Sequence, residues 1–217
     1  TVVIGCTSPS PNCFCTSTGT GPFLEDGFDL QLVDMGEAYL VEAGSEDGEK
    51  FVDEFEEYFR GASEEDLTLS REVKAAAAQA ITLQLDFKQA IRRVGADDIP
   101  REIYDEIAER CIYCGGCLYV CPTCTCFNVF DDIKGEEGAR FRNWDGCVFE
   151  GYSREASNYN PRRKKHLRAS RRYQHKLKYD YKETGISGCT GCGRCLTSCP
   201  VNISISKFIE KLTTVDS

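Results

Sequence analysis

Eight of the fourteen cysteines in this 217-residue chain fall into two copies of one pattern. Cys111-Ile-Tyr-Cys114-Gly-Gly-Cys117-Leu-Tyr-Val-Cys121-Pro122 and Cys189-Thr-Gly-Cys192-Gly-Arg-Cys195-Leu-Thr-Ser-Cys199-Pro200 both read C-x2-C-x2-C-x3-C-P. Two-residue spacings let one tight loop set three thiolates around three corners of a four-iron cube. The fourth Cys follows about one helical turn later and, in two-cluster ferredoxins, ligates the other cube. The expected ligand sets are therefore Cys111, Cys114, Cys117 and Cys199 for one [4Fe–4S] cluster, and Cys189, Cys192, Cys195 and Cys121 for a second. Gly115, Gly116, Gly191 and Gly193 are expected to let backbone N–H groups approach the sulfur atoms, and Pro122 and Pro200 to turn the chain away. Zinc takes four ligands in paired C-x2-C units, which fits a four-Cys repeat with a trailing Pro less well. A disulfide scaffold suits short secreted domains with too little core, and this chain is long enough for a core.

Cys6, Cys13, Cys15, Cys124, Cys126 and Cys147 remain. Four of them suffice for a third cluster, whose expected ligands combine the N-terminal loop with Cys124 or Cys126 and Cys147. The competing reading is buried thiols packed as small apolar groups. Cys13/Cys15 and Cys124/Cys126 are C-x-C pairs, each expected to offer one Cys per direction unless it sits in a tight turn.

Net charge is −9, which argues against a general nucleic-acid binder. The charge is unevenly spread. Residues 25–66 hold sixteen Asp or Glu against Lys50 and Arg60, whereas residues 162–178 hold nine Lys or Arg and both histidines, His166 and His175. The basic stretch is expected to be a solvated helix face, partly turned toward the clusters or a partner, because cations near an anionic cluster raise its potential. Nucleic-acid binding through it, with Tyr173 and Tyr179 interleaved, is the weaker reading, and the histidines are not read as metal ligands. No apolar run is long enough to span a bilayer.

The elements that must position these cysteines point to an α+β chain. Residues 1–60 form an N-terminal Cys loop with a hairpin, Phe28–Met35 and Ala38–Ala43 around Gly36-Glu37, and helical spacing over 46–60. Residues 61–110 are helical, with one long pattern from Ser63 to about Val94 and a short helix from Arg101 to Arg110. Residues 111–217 form a two-cluster ferredoxin-like domain with residues 122–188 inserted. The insertion opens on a strand from Cys124 to Phe130, whose partner is Ala139–Trp144. A helix around Phe208–Leu212 ends the chain. Thr1-Val2-Val3-Ile4 reads like a strand in mid-domain, so further sequence is expected upstream.

The run CIYCGGCLYVCPTCTCF, Cys111 to Phe127, resembles the iron–sulfur β subunit of cytoplasmic hydrogenase complexes with sulfur-reductase activity. It is also similar to the A subunit of anaerobic sulfite reductase. Cys13-Phe14-Cys15-Thr16-Ser17, Thr20-Gly21-Pro22, Trp144-Asp145-Gly146-Cys147, Asn160-Pro161-Arg162 and His175-Lys176-Leu177 extend the likeness over most of the chain. The resemblance implies a soluble cytoplasmic complex in which this subunit passes electrons between a flavin-containing NAD(P)H oxidoreductase subunit and a catalytic subunit, a nickel–iron hydrogenase or a sirohaem sulfite reductase. A non-redox, nucleic-acid-binding iron–sulfur protein is the third reading. No Gly-rich strand–turn–helix signature for a dinucleotide is present, so the chain is expected to carry electrons without turning over a substrate itself.

Overall fold

A computed structural model describes residues 1–214. The chain is α+β and divides into two compact units, Thr1–Gln84 and a second that begins at Leu85.

In the first unit the order is β1 (Val2–Ile4), α1 (Cys15–Thr18), β2 (Leu30–Asp34), β3 (Tyr39–Ala43), α2 (Glu46–Glu54), a 3₁₀ turn (Glu56–Tyr58) and α3 (Glu64–Gln79). β1 lies parallel to β2, with Val2 opposite Leu30. β2 and β3 form the expected hairpin, with Asp34 opposite Tyr39. Gly36 takes the turn at a φ of 96°, a conformation that glycine adopts without steric cost. α3 starts at a reciprocal cap: the Asp66 N–H donates to Ser63 Oγ and the Ser63 N–H donates to the Asp66 carboxylate. Three acids in its first turn complement the helix dipole. The single long helix expected to about Val94 is two helices. It stops at Gln79, and α4 (Phe87–Gly95) starts afresh where Asp86 accepts from the Gln89 N–H at 2.9 Å. An aspartate at that position competes for backbone donors and favours a cap over continued helix.

The second unit continues with α5 (Arg101–Arg110), α6 (Gly116–Tyr119), β4 (Phe127–Lys134), β5 (Glu137–Trp144), a 3₁₀ turn (Gly151–Ser153), α7 (Lys165–Gln174), a π turn (His175–Tyr179), α8 (Asp180–Thr184), α9 (Arg194–Thr197) and α10 (Ile205–Thr214). Its core joins α4, α5, α7 and α10. Phe208 stacks on Tyr173 at 4.4 Å and on Tyr104 at 5.8 Å, and Val94, Leu177 and Leu212 are sealed beside them. The last three residues of the expected tail lie outside the described residues.

The 122–188 segment holds two pieces. β4 and β5 form an antiparallel ribbon from the Phe127–Trp144 pair to the Lys134–Glu137 pair, as expected except that the strand begins at Phe127 rather than Cys124. Every ribbon residue is exposed. Phe130 and Phe141 stack at 5.4 Å on one face, and Asp131 receives two hydrogen bonds from Arg140 on the other, at 2.7 and 2.9 Å. The second piece is the basic stretch, and it is not only a solvated face. Arg168, Arg172 and Lys176 are buried. They recur every four residues, so one edge of α7 and its π turn carries three cations into the interior.

Candidate iron–sulfur centres

The two Cys motifs share one backbone. The residue before each second Cys has a positive φ, 57° at Tyr113 and 68° at Gly191. The residue after it does too, 75° at Gly115 and 68° at Gly193. The chain then enters one helical turn, α6 or α9, which carries the third Cys. Glycine is easy in the left-handed region and tyrosine is not. Tyr113 is held there from outside. Its hydroxyl donates to the Lys165 carbonyl at 3.1 Å, and Arg168 lies over its ring at 5.2 Å. Backbone N–H groups do reach sulfur: Tyr113 donates to Cys111 Sγ at 3.4 Å and Ile203 to Cys199 Sγ at 3.3 Å. The glycines' contribution is thus mostly the positive φ. Gly116, inside α6, has an ordinary one.

Cys111, Cys114, Cys117 and Cys199 line one pocket. Three belong to the first motif and the fourth to the second. Cys121 is not among its walls; it lies against Cys124 and 3.4 Å from Thr123 Oγ1. The second motif's Cys195 lies near enough to Cys189 to add to the rise of its thiol. Cys121 is tied to them through the backbone. Lys176, 1% exposed, donates to Thr123 Oγ1 at 2.7 Å and to the Thr123 and Gly188 carbonyls at 3.3 and 2.7 Å. Thr123 Oγ1 also donates to the Gly188 carbonyl at 2.6 Å. This knot joins the residue two past Cys121 to the residue just before Cys189.

Burial pushes the Cys111 and Cys117 thiols up, and lifts Cys189 to about 11. Arg172 works against it at all three. Burial opposes the charge on Arg172 itself, but Cys117 and Cys195, one from each motif, outweigh it. Its Nε is buried with no hydrogen-bond partner. A cationic donor sealed among thiols calls for anions. Thiolates around an anionic iron–sulfur cluster answer that need, so the residues fit the group. Among the described residues no three His, Cys, Asp or Glu side chains converge on a single ion. A cube asks for no such convergence, since each thiolate binds a different iron.

The six other cysteines fall into two groups of three, one in each unit, and among the described residues none of the fourteen is disulfide-bonded. Cys13 and Cys15 are buried with Ile81. Burial, and then Cys13, raise the Cys15 thiol, and Cys6 lies near enough to add to this. In the second unit Cys124, Cys126 and Cys147 line one cavity. The expectation that each C-x-C pair splits between two faces fails for both. Residues two apart share a face even on a strand, and here Cys15 opens a helical turn while Cys124 and Cys126 precede β4. What the sequence reading missed was the inward edge of the basic stretch. The four-residue spacing of Arg168, Arg172 and Lys176 was the available signal.

Residues 110–203 match the family model described as a 4Fe-4S dicluster domain. Over 210 residues the chain is 35% identical to sulfhydrogenase 2 subunit beta of Pyrococcus furiosus, a match covering 94% of this chain and 60% of that subunit. The chain thus spans about three fifths of the curated relative's length. No solved structure matches it. Residues 110–203 are therefore similar to a 4Fe–4S dicluster domain, in a chain that is similar over most of its own length to the β subunit of a sulfhydrogenase.

Proposed function

We propose that the chain is an electron-relay subunit of a hydrogenase-type complex, with residues 111–217 as its ferredoxin-like relay and residues 122–188 inserted. The observation that carries this is the pairing of the two motifs through buried cations. Lys176 ties Thr123 to Gly188, and Arg172 lies against Cys117 and Cys195. Cys111, Cys114, Cys117 and Cys199 hold one cluster; Cys189, Cys192, Cys195 and Cys121 hold the other. When bound, [4Fe–4S] clusters supply one-electron transfer. The residues do the rest. Backbone N–H groups stabilise the sulfur charge, the apolar walls exclude water, and Arg172 favours the reduced state of both clusters by its positive charge.

The partners we assign are a flavin-containing NAD(P)H oxidoreductase subunit on one side and a hydrogenase catalytic subunit on the other, in the cytoplasm. The name of the Pyrococcus relative favours hydrogenase over sulfite reductase as the catalytic partner. Among the described residues no helix is long and apolar enough to cross a membrane. The ribbon supports a heteromeric role, because isolated two-stranded ribbons are marginal in water and this one exposes Phe130, Phe141 and Trp144. Three of the nine cations in the basic stretch are buried away from any phosphate, which weakens the nucleic-acid reading. The test is reduction of the anaerobically purified chain. Hydrogen or NAD(P)H should reduce it only after the catalytic or flavin subunit is added; reduction of the chain alone would sink the relay assignment.

A further inference from the structure

The two roots of the exposed ribbon deliver three thiols to one place. Cys124 and Cys126 stand just before β4, and Cys147 just after β5. The Asp145 N–H donates to the Cys126 carbonyl at 3.1 Å and pins the roots together. Cys126 lies close to Cys147. All three thiols line a cavity of about 120 Å³, and His175 lines it as well.

His175 opens the π turn, a distortion that recurs at functional sites. Its Nε2 stands 3.5 Å from Asp180 Oδ1. That pairing leaves Nδ1 as the nitrogen available to a metal. A ligating imidazole is characteristically oriented by a carboxylate on its other nitrogen. The charge around the cavity points the same way. Arg162, Arg171, Arg172 and Lys176 line it, and among the described residues no carboxylate does. One of these cations, Arg172, is buried with its Nε unpartnered. Such a pocket calls for negative charge, which three thiolates around an iron–sulfur cluster provide.

We infer that Cys124, Cys126, Cys147 and His175 hold a third iron–sulfur cluster. This rests on reading the two Cys motifs as cluster sites, because the cavity adjoins the second of them: Cys124 lies against Cys121. A third cluster here extends the relay toward the ribbon. It also explains why an exposed ribbon is rooted so firmly, since both of its ends are ligand-bearing.

The experiment is iron and acid-labile sulfide analysis of the full chain, purified anaerobically and reconstituted with ferrous iron and sulfide. At four irons per cube, the expected content is about twelve per chain, falling to about eight in a Cys126→Ser/Cys147→Ser variant. His175→Ala should keep about twelve but change the electron paramagnetic resonance signal of one cluster only. Retention of about eight irons in the double variant shows that the rest of the unit has folded. A native content near eight overturns the third site and leaves the two-motif reading standing, whereas a content near four or below overturns both. A fall to about eight in Cys13→Ser/Cys15→Ser, with no effect of His175→Ala, overturns the ligand set by moving the fourth ligand to the first unit.

Discussion

Lys176 reaches back 53 residues to Thr123 and takes both its hydroxyl and its carbonyl, at 2.7 and 3.3 Å. The same ammonium takes the Gly188 carbonyl at 2.7 Å. Three donors meet three acceptors, so the buried charge is satisfied without a carboxylate. The contact closes the 122–188 segment at its neck, which lets a long insertion leave the Cys motifs undisturbed.

Replacing that ammonium should open the neck. Lys176→Met leaves two carbonyls and a hydroxyl short of a buried donor, at a cost of about 3 kcal/mol for the group as a whole. The second cluster should be lost before the first, since Cys121 and Cys189 flank the neck. Chemical denaturation and iron analysis check this together; unchanged stability with full iron would remove the neck from the account.

Crossed ligation makes a sharper demand. Cys199→Ser should perturb the cluster of Cys111, Cys114 and Cys117, with which it shares a pocket. Cys121→Ser should perturb that of Cys189, Cys192 and Cys195. Electron paramagnetic resonance of the reduced variants distinguishes the two signals. Each variant altering only the cluster of its own motif would refute the crossing.

The dicluster character of residues 110–203 was legible in the sequence, because C-x2-C-x2-C-x3-C-P recurs there with the same local spacing. The hairpin at Gly36, the helix Arg101–Arg110 and the partnership of the strand ending at Phe130 with Ala139–Trp144 were legible too, though not the register: turn residues and periodicity are local signals. The break between α3 and α4 was not, since helical spacing runs on past Gln79 and only Asp86 marks the restart. The inward cations were hidden differently. Composition makes Arg162–Lys178 look solvated, and burial of Arg168, Arg172 and Lys176 depends on partners up to 53 residues away, such as Thr123.

In the first unit Asp66 gives a pH test. It accepts from Arg60 at 2.8 and 3.1 Å and from the Ser63 N–H, and these hold its carboxyl well below the usual range. A depressed carboxyl contributes stability that is fully present above its unfolded pKa, about 3.9, and is lost as pH falls through the folded value. The melting temperature of Asp66→Asn should therefore lie below that of the native protein at pH 7, with the gap narrowing from about pH 4 downward. Ser63→Ala, which removes the other half of the cap and one of the lesser contacts that lower the Asp66 carboxyl, should cost about 1 kcal/mol with a weaker pH dependence. A gap that stays constant down to pH 2 would contradict the assignment.

The ribbon should matter for assembly and not for metal. Replacing residues 128–143 with a short turn keeps Cys126, Cys147 and the Phe127–Trp144 root. Iron content should be unchanged, while co-purification with the other subunits of the complex should fall at least about tenfold, the loss of about 1.4 kcal/mol of interface. Loss of iron without loss of binding would reverse the roles.

Arg172 tests the electrostatics of the whole relay. It is buried against one thiol of each motif, so both clusters should feel it. Arg172→Gln removes a cation near two anionic clusters, which makes an added electron less welcome at each. Both midpoint potentials should fall by tens of millivolts, where about 59 mV is a tenfold change in a one-electron equilibrium. Arg171→Gln, over the Tyr179 ring at 4.4 Å, should shift them less. A redox titration followed by electron paramagnetic resonance measures both variants. If the basic stretch instead served nucleic acid, potentials would stay put and the variants would flatten the salt dependence of binding, each lost phosphate contact releasing fewer counterions. Unshifted potentials with steeply salt-dependent binding of the native protein to DNA or RNA would overturn the relay account of Arg162–Lys178.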